Sequence, residues 1–105
     1  MSGNNDRRED GSLLTRKRSK TRRPSRFKVL LHNDDFTSME FVVAVLQQIF
    51  HMEGGRATQV MLQVHNTGIG VAGIYPHSIA ETKVTQVLSA ARRSEHPLQC
   101  SMEPE

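Results

Sequence analysis

A single cysteine, Cys100, rules out a disulfide within this 105-residue chain and suits a reducing compartment. Long apolar runs are missing too. Nothing approaches the roughly 18 residues of a membrane-spanning helix. The pairs Arg7-Arg8 and Arg22-Arg23 precede no apolar signal region, so export is not expected and the cytoplasm is the default. There is no phosphate-binding glycine loop and no His-Glu-x-x-His motif. The histidines His32, His51, His65, His77 and His96 lack zinc-ligand spacing. Cys100 lies in no nucleophile motif. An enzyme, a metal and a cofactor are therefore not expected. A metal site using Asp34, Asp35 and His65 stays open, but it needs more ligands than the sequence offers.

Charge is present but unevenly placed. Residues 1–26 carry nine Lys/Arg and three Asp/Glu, whereas residues 27–105 carry five and eight. The length fits one domain with a small core. Residues 1–26 have Leu13-Leu14 as their only apolar pair and read as a disordered basic extension. Residues 15–26 hold seven Lys/Arg and no acid. Such a run can bind nucleic acid or a membrane surface, and a nucleic-acid or ribosome-associated protein is the competing reading. The run has no interleaved aromatics and belongs to no nucleic-acid fold motif, so a solvated tail is preferred.

Residues 27–105 read as one folded domain. Phe27-Lys28-Val29-Leu30-Leu31 is a strand, and Asn33-Asp34-Asp35 is a turn. Thr37 as N-cap and Glu40 at the third helical position would form a capping box, with Phe36 and Phe41 as a hydrophobic staple. Val42, Val45, Leu46, Ile49 and Phe50 continue at helical spacing. Gly54-Gly55 is expected to break this helix near Met52. A second helix spans about residues 56–66, with Ala57, Val60, Met61 and Val64 as its apolar stripe and Gly68 ending it in a left-handed conformation. Residues 69–75 read as a strand. Ser78 to Glu81 offers another capping box, with Pro76 in the first turn as the alternative. Ala80, Val84, Val87, Leu88 and Ala91 stripe a third helix, Pro97 stops it, and residues 98–102 form a last strand. This order predicts a two-layer α+β domain, β-α-α-β-α-β, with a three-stranded antiparallel sheet packed against three helices.

The residues able to carry chemistry cluster before the first helix. Asn33, Asp34 and Asp35 suit a turn, but three adjacent acceptor-rich side chains exceed what a turn needs and can hold a cation or an ammonium group. His65, near the end of the second helix, suits the helix C-terminus. Met39 and Met61 either fill core gaps or line a pocket that accepts large apolar groups.

Four separated blocks carry a resemblance: Val29 to Val43, Ala57 to His65, Ala80-Glu-Thr-Lys-Val84 and His96-Pro-Leu-Gln-Cys100. In order and spacing they resemble ClpS, the bacterial adaptor that delivers N-end-rule substrates to a Clp ATPase–protease. The resemblance spans about residues 27–103. It implies a non-catalytic adaptor in which Asn33, Asp35 and His65 accept hydrogen bonds from a substrate's α-amino group, with Asp34 in support. It implies a side-chain pocket of Leu31, His32, Thr37, Met39, Val42, Met61, Val64 and Leu98, suited to Phe, Tyr, Trp or Leu. Met39 would act as a gatekeeper against β-branched residues. Lys83 would contact the N-terminal domain of a ClpA-like ATPase, beside Ser78 where some relatives are acidic. The resemblance implies a monomer that uses no cofactor, metal or membrane. Two departures stand out: His32 replaces an aliphatic residue at the pocket edge, and Ser38 replaces a proline at the start of the first helix.

Overall fold

The apolar periodicities described above resolve into six elements. The computed structural model describes residues 25–105. The expected tail over residues 1–26 falls outside them, apart from its last two positions. The elements are β1 Arg26–His32, α1 Met39–Gln48, α2 Gly54–Thr67, β2 Ile69–Pro76, α3 His77–Arg93 and β3 Gln99–Pro104. β1 is central and pairs antiparallel with β2 on one side and β3 on the other. Its own sequence explains that position, since Val29, Leu30 and Leu31 are all buried. Opposite β1, β2 carries one extra residue. Val29 faces Gly73 and Leu30 faces Val71, which leaves Ala72 as a bulge.

All three helices pack on one face of the sheet. Val29 and Leu31 share a core with Val42 and Leu46 of α1, Val60 and Val64 of α2, and Val87 and Ala91 of α3. Residues alternate along a strand, so Lys28, Leu30 and His32 point to the other face. Among the described residues no helix is long and apolar enough to cross a membrane.

Four boundaries differ from expectation, each for a local reason. The N-cap of α1 is Ser38, not Thr37. Its hydroxyl accepts from the Phe41 amide at 3.1 Å. Glu40 is thereby in the first turn but not at the capping-box position. At the other end α1 stops at Gln48, and the chain reverses through His51 at φ 59. Gly54-Gly55 does not break a helix but opens α2. Glu53 is the N-cap, its carboxylate accepting from the Arg56 amide. A Cβ on Gly55 would lie 3.0 Å from Glu53 Oε1, so glycine leaves that carboxylate room to fold back. The Ser78 capping box does not form either. Pro76 is the N-cap of α3, Ser78 lies inside the first turn, and no side chain among the described residues caps the helix. Gly68 does end α2 in the left-handed region, at φ 93.

Candidate functional site

The turn after β1 is organised by its middle residue. Asp34 Oδ1 accepts from the amides of Phe36 and Thr37, each at 2.8 Å, and Oδ2 accepts from the Thr37 hydroxyl at 2.7 Å. Burial pushes the Asp34 carboxyl up. The Thr37 hydroxyl, the two amides and the charge of His96 outweigh it, so the carboxyl ends below its ordinary value. Asp34 is therefore committed to holding the loop. Its neighbours are not. Asn33 and Asp35 are exposed, and among the described residues neither side chain has a hydrogen-bond partner within the chain.

A backbone bond brings α2 to this loop. The Asn33 amide donates to the Gly68 carbonyl at 2.9 Å. The left-handed turn at Gly68 thus ties the end of β1 to the end of α2, where His65 stands exposed in the last turn. The result is a cleft of about 320 Å³. Asn33, Asp34, Asp35, Thr37, Ser38 and His65 supply polar lining, and Met39, Val42, Met61 and Val64 supply apolar lining. Val64 and Met61 are 2% and 8% exposed, whereas Met39 is 42% exposed. The methionine on α1 is therefore the solvent-facing wall. Such a site can hold an apolar group against Val42, Met61 and Val64, and a group with several N–H donors at the acceptor-rich end.

Nine of the expected site residues line this cleft. Three do not. Leu31 and Leu98 are 0% and 3% exposed and stay in the core; they do not reach the cleft lining. His32 is on the far face of the sheet, where its Nε2 lies 2.6 Å from Ser101 Oγ. Strand alternation puts it there, because Leu31 points inward. Conversely, Ser38 lines the cleft, although the sequence marked it only as a helix start. Its place between Thr37 and Met39 was the available signal.

Lys83 and Ser78 lie apart from the cleft. Lys83 Nζ donates to the Ile49 carbonyl at 2.7 Å and sits 5.9 Å and 5.7 Å from the ring centroids of Phe50 and Tyr75. It therefore closes the C-terminal end of α1. It also lines a second cavity, of about 470 Å³, with Gln48, His51 and Arg93. Ser78 is exposed, and its carbonyl accepts from the Thr82 hydroxyl. Cys100 is buried, and burial pushes its thiol up to about 12, which disfavours the nucleophilic thiolate. Among the described residues no three His, Cys, Asp or Glu side chains gather closely enough to hold a metal ion.

The inner wall depends on a glycine. A Cβ on Gly70 of β2 would lie 2.6 Å from Val64 Cγ2. Valine is stiff about χ1, so α2 rather than the side chain must give. Gly70→Ala is expected to destabilise the fold by about 1–3 kcal/mol in urea denaturation and to narrow the cleft at Val64.

Comparison with known proteins assigns the family. The profile described as ATP-dependent Clp protease adaptor protein ClpS matches residues 22–101. The ClpS adaptor of Ruegeria sp. (strain TM1040) is 53% identical over 103 residues, covering 98% of this chain and 91% of that protein. That of Desulfatibacillum aliphaticivorans is 57% identical over 95 residues, covering 90% and 91%. The structure of Agrobacterium tumefaciens ClpS2 bound to L-phenylalaninamide superposes with a TM-score of 0.77 at 37% identity, covering 79% of this chain and all of that one. The chain belongs to the ClpS family of Clp protease adaptor proteins.

Proposed function

We propose that this adaptor binds proteins by a free N-terminal Phe, Tyr, Trp or Leu and hands them to a Clp ATPase–protease, without catalysing a reaction itself. The observation that carries this reading is the pairing of Asn33 and Asp35, whose side chains have no hydrogen-bond partner among the described residues, with an apolar cleft beginning at Met39. An α-ammonium group has three donors and a positive charge. Asn33, Asp35 and His65 would accept from it, and a carboxylate partner makes the bonds charge-assisted. An acetylated or internal residue offers fewer donors and no charge, so it leaves acceptors unpaired. Burying an aromatic side chain contributes on the order of 4–6 kcal/mol before association costs. Met39 would crowd the Cβ of a Val or Ile first residue. The ligand of the Agrobacterium tumefaciens protein, an amino-acid amide with a free amino group and a benzyl side chain, supports the reading. Docking of a ClpA-like N-terminal domain would use the face of Lys83 and Ser78, with the adaptor acting as a cytoplasmic monomer.

Titration of labelled peptides by fluorescence anisotropy tests the proposal. A peptide beginning with Phe should bind at least about 100-fold more tightly than its acetylated form and about tenfold more tightly than one beginning with Val. Equal binding of all three, or of none, contradicts it.

A further inference from the structure

A second apolar recess adjoins the cleft. It is a groove of about 420 Å³ between α1 and α2, lined by Met39, Glu40, Val43, Ala44, Gln47 and Met61. Met39, Val43 and Gln47 recur every four residues and so share one stripe of the helix, about 12 Å long. Met39 and Met61 also line the cleft. The two methionines are therefore a partition, with an apolar recess on each side.

That spacing suits one occupant. An extended peptide sends alternate side chains to the same side, so its first and third side chains are roughly 7 Å apart. Two groups in van der Waals contact with opposite sides of one methionine chain are about 7–8 Å apart. A peptide whose first side chain fills the cleft can thus cross Met39 and Met61 and lay its third side chain on Val43 and Ala44. Its second side chain points to solvent. Methionine is the side chain best able to adapt to differing groups on both sides.

We infer that the α1/α2 groove is a subsite for the third residue of the bound peptide. It favours Leu or Met there and disfavours Asp or Glu, because Glu40 and Gln47 are the polar groups in its lining and Glu40 carries negative charge. The inference rests on the N-terminal-residue reading above.

The test uses the full chain and peptides sharing one downstream sequence but beginning Phe-Gly-Gly, Phe-Gly-Leu, Phe-Leu-Gly or Phe-Gly-Asp. Phe-Gly-Leu should bind about five- to tenfold more tightly than Phe-Gly-Gly, Phe-Leu-Gly should match Phe-Gly-Gly, and Phe-Gly-Asp should be weakest. Ala44→Glu should erase the gain from Leu while Phe-Gly-Gly binds as before. Gln47→Glu, on the exposed end of the stripe, should reduce the gain and serves if Ala44→Glu does not fold. Indifference to the third residue, a gain from Leu at the second position, or a gain that survives in both folded variants overturns the subsite alone. Failure of Phe-Gly-Gly to bind wild-type protein overturns the parent reading and the subsite with it.

Discussion

Asp35→Ala should weaken binding of a peptide beginning with Phe by about 10- to 100-fold while leaving the melting temperature unchanged. Two observations set the expectation. Asp35 is exposed and lines the cleft, and among the described residues its carboxylate bonds nothing within the chain. Its removal therefore costs no hydrogen bond among the described residues. The substrate ammonium would lose its carboxylate, and a hydrogen bond to a charged group is worth about 1.5–3 kcal/mol, which converts to that range of affinity. Asp35→Asn keeps an acceptor without the charge and should fall between wild type and Asp35→Ala. The difference should shrink as salt is raised, because the site is open to solvent. Anisotropy titrations beside a thermal melt check both halves.

Asp34→Ala, by contrast, should lower stability, by about 2 kcal/mol. Three hydrogen bonds converge on this carboxylate, and the loop they hold carries Asn33 and Asp35. Peptide affinity should therefore fall as well, through loss of order in the loop. The pH dependence has a definite sign. The Asp34 carboxyl lies below its ordinary value in the folded chain. A group whose pKa is lowered by folding stabilises fully above its unfolded pKa, about 3.9 for Asp. That contribution is lost as pH falls through the lower folded value. The gap between wild type and Asp34→Ala in urea denaturation should hold constant above about pH 5 and narrow at strongly acid pH. A gap of the same size at both ends would mean that the charge of Asp34 does not hold the loop.

Much of this fold was legible because its apolar residues keep strict periods. Val60, Met61 and Val64 mark α2, and Val84, Val87, Leu88 and Ala91 mark α3. The order β-α-α-β-α-β followed from such stripes, whereas antiparallel pairing was a preference that the strand register bears out. Caps were less legible, since Thr37 and Ser38 both carry a hydroxyl that can cap a helix. What decides between them is Asp34, which engages the Thr37 hydroxyl and leaves the next residue to cap α1. A tertiary demand of this kind leaves no trace in helix propensity.

The site was legible in type but not in depth. Asn33, Asp34 and Asp35 stood out as more acceptors than a turn requires, yet nothing in their order says that the middle one is used up internally. Leu31 and Leu98 are as apolar as Val64, and only packing shows which of them stops short of the cleft. His32 is a different case. Alternation from Leu31 already pointed it away from the helices, and the resemblance alone placed it at the pocket edge.

The most direct test of the central claim is to follow the backbone amide resonances of the isotopically labelled chain as L-phenylalaninamide is added. The cleft should report it, with the largest shifts at Asn33, Asp35, Met39, Met61, Val64 and His65. Shifts gathered instead around Gln48, Lys83 and Arg93 at the larger cavity, or no shifts at saturating ligand, would contradict the account.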